Sequence, residues 1–160
     1  MRPLCLAVLV ALVACSDDPP ADVAGDYTAN VTNGPNQCNL DTWNEGSTLS
    51  GIPIQVSQEG ASVTAEVGGG VGLFLDVWLG ARSFEGGVTG SRIDAVLFGQ
   101  NPNRVGGCTF TIDAELEATL QGDLLEGAVQ FRPSTSSHPD CLTFANCSNG
   151  QAFNGTRPPR

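Results

Sequence analysis

Three sets of residues have types and spacings that chemistry could use. His138-Pro139-Asp140-Cys141 puts the one histidine of the chain beside an acid and a thiol, the parts of a cysteine nucleophile and its base. Such a nucleophile must stay reduced, with the base placed against it. Cys141 has Cys147 shortly after it in the chain, so half of a disulfide is the better reading. Asp113, Glu115 and Glu117 occupy alternate positions, which on a strand stand roughly 6.6–7 Å apart on one face and offer oxygens to calcium. Calcium sites gather their oxygens in a tight loop, whereas a straight ladder opposite an apolar face is the pattern of a solvated outer surface. The third set is aromatic: Tyr27, Trp43, Trp78 and Phe110, with Phe74, Phe84 and Phe98. Rings of this kind line apolar ligand cavities or fill a core. A nucleophile elbow, a phosphate loop and a His-Glu-x-x-His motif are all absent, so no catalytic residue, metal ligand or cofactor is expected.

Apart from Cys5 and Cys15, the cysteines are Cys38, Cys108, Cys141 and Cys147. Structural zinc sites use Cys-x-x-Cys spacings, which these four lack. An even set reads as two disulfides, and hence as an oxidising compartment. The charge balance is −10, with seven basic residues, all arginine, against seventeen acids. A field of that sign repels nucleic acid and anionic headgroups.

Residues 1–14 carry one cation, Arg2, then an apolar run from Leu4 to Val13 and the small residue Ala14 before Cys15. As a helix that run spans only ~15 Å against a ~30 Å hydrocarbon core, so it reads as a secretory signal and not as a membrane span. Leu12-Val13-Ala14-Cys15 resembles the lipobox of bacterial lipoproteins. The resemblance implies cleavage before Cys15, acylation of that residue, and attachment to the cell envelope through more than one acyl chain, enough for stable anchoring. Ser16 after the cysteine resembles the outer-membrane sorting pattern. Residues 15–23, acidic and proline-containing, read as the lipidated cysteine and a solvated tether.

The elements that would position the aromatic and cysteine residues are strands. Glycine and proline interrupt the folded part so often that its longest uninterrupted span is Cys108–Gln121. There Cys108, Phe110, Ile112, Ala114, Leu116, Ala118 and Leu120 alternate with Thr109, Thr111, Asp113, Glu115, Glu117 and Thr119, a period of two. Shorter alternations, punctuated by Asn33-Gly34, Glu59-Gly60, Gly90-Ser91 and Gly122-Asp123, place strands near 25–32, 37–43, 52–57, 61–67, 72–78, 82–88, 92–98, 108–120 and 124–131. Sequential hairpins of this number predict an all-β, antiparallel up-and-down barrel of eight or nine strands over 24–131, with a two-sheet β-sandwich as the alternative. Residues 132–160 are expected to form a disulfide-pinned tail. Ala24-Gly25-Asp26-Tyr27-Thr28 resembles the opening of calycin-group proteins, the lipocalin-like and avidin-like barrels, which implies the same meander architecture.

Four cysteines allow three pairings. Counting the hairpins brings Cys38 and Cys108 to one end of the barrel, and the short loop between Cys141 and Cys147 then predicts Cys38–Cys108 and Cys141–Cys147. If 33–50 holds no strand, the parity flips and Cys108 pairs with the tail. The functional expectation is a membrane-tethered envelope lipoprotein, at the outer membrane, whose barrel is a non-enzymatic module. It would bind a small apolar ligand in a cavity lined by Tyr27, Trp43, Trp78 and Phe110, or an envelope protein. A structural lipoprotein with a filled barrel and an envelope hydrolase are the alternatives. Replacing Cys15 with Ser should leave residues 1–14 uncleaved and move the protein out of membrane fractions; an unchanged membrane fraction would refute the lipid anchor.

Overall fold

A computed structural model describes residues 18–159 except Ala145; the expected signal segment and Cys15 lie outside the described residues. The order is β1 (Gly25–Asn33), β2 (Thr48–Glu59), β3 (Ser62–Val67), α1 (Gly69–Trp78), β4 (Ser83–Thr89), β5 (Arg92–Leu97), β6 (Asn103–Val105), β7 (Cys108–Gln121), β8 (Leu124–Thr135), a 3-10 turn (Pro139–Thr143) and β9 (Asn149–Thr156). Every pairing is antiparallel. The sheet order β5-β4-β3-β2-β1-β9-β8-β7 closes on itself through β5 and β7, making an eight-stranded barrel, and β6 adds beside β7.

The alternation in β7 lies as expected. Cys108, Phe110, Ile112, Ala114, Leu116 and Ala118 are buried, while Glu115 and Glu117 face solvent. Three of the expected turns form tight hairpins, with Gly60, Gly90 and Gly122 at positive φ. These hairpins share one end of the barrel. The opposite end carries the loop 34–47, α1, the segment around β6 and the turn after β8.

Four parts differ from expectation. Residues 37–43 are not a strand: Asn36 closes a local turn, its carboxamide oxygen accepting from Leu40 N and its amide donating to Leu40 O, both at 2.9 Å. Such side-chain bonds compete with sheet pairing. Residues 72–78 are helical, because Gly72, Leu75 and Leu79 bury one face at helical spacing while Leu73, Phe74 and Val77 stay exposed. Gly80, at φ 82°, ends the helix, its N–H reaching Leu75 O and Asp76 O, an arrangement suited to a left-handed glycine. The expected tail supplies β9, which completes the ring between β1 and β8, so the barrel runs well past residue 131. The expected tether ends earlier than 23: Val23 is fully buried, its N–H on Gln58 Oε1, and Ala21 N bonds Gly90 O.

The disulfides are Cys38–Cys147 and Cys108–Cys141, so the expected pairing is wrong although all four cysteines do pair. Losing the strand at 37–43 and losing the one at 72–78 cancel in parity, which leaves Cys38 and Cys108 at the same end. Short sequence distance then misleads. Cys147 precedes β9 and Cys38 follows β1, its direct neighbour, while Cys108 opens β7 and Cys141 follows β8, the neighbour of β7. Each bridge ties the ends of two adjacent strands.

Close strand approach depends on glycine at two places. A Cβ on Gly127 would collide with Glu117 O and Ala118 of β7, and one on Gly86 with Asp94 O and Ala95 of β5. Gly70, in α1, has open space around it. Gly127→Ala should lower stability by about 1–3 kcal/mol, while Gly70→Ala should leave it unchanged or raise it by up to about 1 kcal/mol; urea unfolding of both variants measures the contrast.

Candidate functional site

The lower part of the barrel is solid. Tyr27, Val56, Val63, Val88, Ile93 and Leu125 pack together there. Residues 21–24 cross beneath them and are held by Arg157, whose guanidinium donates to Asp22 O (3.1 Å), Ala24 O (2.6 Å) and Asp123 Oδ1 (3.1 Å) and lies 5.7 Å from the Tyr27 ring centre. The Tyr27 hydroxyl donates to Val23 O at 2.8 Å. Tyr27 is therefore a packing residue of the closed end and is not among the walls of the cavity at the open end, where the sequence reading placed it.

The other end is hollow. A cavity of about 420 Å³ opens there, walled by Trp43, Leu75, Trp78, Phe110, Ile112 and Phe131 among others. That volume lies within the ~300–1,000 Å³ range of small-molecule sites. A smaller cavity of about 80 Å³ adjoins it and shares Leu75 and Phe131 as walls. The smaller one reaches Leu49, which a bulge turns inward: Ala29 faces Ile52 but Val31 faces Leu49, with Gly51 at φ 74° taking up the extra residue.

Three of the four residues expected at a cavity are there. Trp43 is held by its indole N–H on Gly34 O (2.8 Å) and by an edge contact with Phe131. Trp78 stacks on Phe74, and Phe110 on Phe144. Phe84 lines the smaller cavity, while Phe98 is 70% exposed on the outside. Leu75, Leu79, Phe131 and Phe144 also line the main cavity; the period-two reading of 72–78 and the assignment of Phe144 to a tail hid their convergence. The loop wall is fixed at its edge by Asn149, 1% exposed, whose carboxamide accepts from Cys38 N at 3.0 Å and donates to Asn36 Oδ1 at 3.2 Å.

The other candidates disperse. Cys141 is bridged to Cys108, and His138 Nδ1 accepts from Asp140 N. Asp113 accepts from Gly99 N, Glu115 pairs with Arg132 and Glu117 with Arg92, each with a different partner. Among the described residues, no three metal-ligating side chains gather. Outside the barrel, the Arg92 guanidinium hydrogen-bonded to Asp94 holds that carboxyl below its ordinary range.

Comparison with protein-family models, with curated proteins and with solved structures finds no match for this chain. The site must therefore be read from its own geometry.

Asn149→Ala would leave the buried Cys38 N–H without its acceptor, at a cost of about 1–3 kcal/mol. Thermal unfolding should show that loss, and limited proteolysis should show faster cleavage within 34–47 than in the parent protein.

Proposed function

We propose that this protein is a lipid-anchored envelope protein whose calycin-like barrel binds a small apolar ligand in its open end, without catalysis. The observation that carries this reading is the cavity of about 420 Å³ walled mainly by aromatic and aliphatic side chains. Burying an apolar ligand against such walls gains roughly 25 cal/mol per Å² of apolar surface removed from water. The large hydrophobic side chains left exposed, Leu49, Leu73, Phe74, Val77, Phe98, Val105 and Leu142, belong to segments at the same end of the barrel. Apolar surface concentrated at one place marks a binding region.

The direction of the barrel suits a tether on Cys15. The chain enters at the closed end, through Ala21 and Val23, so an anchor there leaves the cavity mouth facing away from the membrane. Two disulfides agree with export to an oxidising compartment.

The two tryptophans of the chain, Trp43 and Trp78, both line the cavity, which makes tryptophan emission a direct reporter. At roughly 30 Å³ per water-sized group, the volume takes on the order of a dozen non-hydrogen atoms. Titration with neutral ω-bromoundecanol, below its aggregation concentration, should quench that emission saturably, and Ile112→Phe, which puts a larger ring into the cavity, should weaken the binding. Quenching that rises linearly, with no saturation, would instead favour a structural barrel whose end takes up no ligand.

A further inference from the structure

We propose that the ligand is a single-chain amphiphile with an oxyanion head, a carboxylate or phosphate monoester, and that Arg104 holds the head at the cavity mouth. This rests on the reading of the cavity as a ligand site and adds the chemical class of its occupant.

The described residues include five arginines. Arg82 pairs with Glu66 and Asp76, Arg92 with Asp94 and Glu117, Arg132 with Glu115 and Arg157 with Asp123. Among the described residues Arg104 alone has no carboxylate within ion-pair distance, in a chain where acids outnumber bases seventeen to seven. It borders the apolar cavity, on β6 between Asn103 and Val105, which border it too.

The register says where its charge can act. Asn103 pairs with Phe110, whose ring lines the cavity, and Arg104 pairs with Thr109. Paired residues share a face of the sheet and neighbours alternate, so Arg104 leaves β6 on the face away from the Phe110 ring. It is exposed and serves the rim, where a head group can stay partly hydrated while its chain fills the interior. Asp140 reaches the same hairpin but is engaged by Gly107 N at 2.8 Å.

The other polar side chains of the wall are mostly committed. The amide of Asn103 donates to Trp78 O and Asn101 O, and Asn149 bonds Cys38 N and Asn36. That leaves Thr42 and Arg104 without a side-chain bond of their own among the described residues. A guanidinium is matched in geometry and charge to carboxylate and phosphate. An apolar interior with one free cation on its rim selects an apolar chain ending in an anion, although the overall charge of the protein opposes anions.

The test uses one undecyl chain with four heads: ω-bromoundecanol, ω-bromoundecanoate, ω-bromoundecyl phosphate and ω-bromoundecyl trimethylammonium. All are read by tryptophan quenching at low ionic strength. At least one oxyanion should bind roughly two- to fivefold tighter than the alcohol, the size expected of one exposed ion pair, the ammonium should bind more weakly, and the tighter oxyanion identifies the head. Arg104→Gln should bring the ratio of oxyanion to alcohol affinity down to about one, and Arg104→Glu should make the ammonium the preferred head. Far-ultraviolet dichroism and disulfide mapping confirm that both variants are folded. Saturable binding of the alcohol with no oxyanion preference, or a preference that survives in Arg104→Gln, would overturn this proposal and leave the apolar site standing. Failure of all four probes to bind would overturn both.

Discussion

Six residue pairs between β5 and β7, from Arg92 opposite Thr119 to Leu97 opposite Ala114, close the barrel, and most of what is distinctive about the molecule follows from how far β7 runs beyond them. β7 has fourteen residues and β5 has six. The half of β7 near Gln121 is ring; the half near Cys108 overhangs the end of β5, and there β6 takes the vacant edge. An eight-stranded ring has an interior just wide enough to be packed with side chains or to hold one small ligand. Toward the hairpins side chains fill it. At the overhang, wall residues such as Phe110 and Ile112 face a space that no strand crosses.

The two ends are held by different means because they lose different things. At the hairpin end Arg157 joins three parts of the sequence: the segment before β1, the β7–β8 turn and the residue after β9 itself. Its side chain is only 8% exposed, so these bonds satisfy a charge that would otherwise be costly to bury. At the open end ladder hydrogen bonds stop and long loops begin, and both disulfides sit there. Their loops span 109 and 33 residues. In the chain-entropy model loops of those lengths stabilise by about 4.7 and 3.7 kcal/mol.

The fold was legible where burial is one-sided and the strand long. In Cys108–Leu120 each inward residue is apolar and each outward one is polar, so register and face followed directly. β9 was illegible for the opposite reason: of its inward positions Asn149, Gln151, Phe153 and Gly155, one is a large apolar residue, and at Gly155 a Cβ would stand in tight contact with Ala29, at 3.3 Å. α1 is short and rich in Leu, Val and aromatic residues, and a run of that length satisfies the strand pattern and the helix pattern alike. What separates them is which side chains the barrel buries, Gly72, Leu75 and Leu79 at helical spacing. For the site, Trp43, Trp78 and Phe110 could be named from type alone, but Tyr27 belonged to the same class and sits at the other end. Side-chain type carries no information about which end of a barrel a residue occupies; strand direction does, and that needs the right elements.

The pairing of the cysteines shows how a hollow end and a stable end can coincide. Loops that wall a cavity cannot be held by a core beneath them, since the cavity occupies that place. Here the loop 34–47 is pinned at its edge instead, by Cys38 to Cys147, by Asn149 accepting from Cys38 N, and by the Trp43 indole on Gly34 O. The turn after β8 is pinned in the same way by Cys108–Cys141, and its Phe144 stacks on Phe110 at 5.0 Å. α1 is the third wall, and Asn101 caps it by donating to Asp76 O and Val77 O at 3.2 and 3.0 Å. Each wall is thus anchored by covalent bonds or hydrogen bonds at its periphery, while its apolar side chains pack on immediate neighbours, Trp43 on Phe131, Trp78 on Phe74 and Phe110 on Phe144, and turn their remaining surface to the cavity. The surface turned to the cavity forgoes packing that collapse of the walls would bring, and anchors at the periphery hold the walls apart against it.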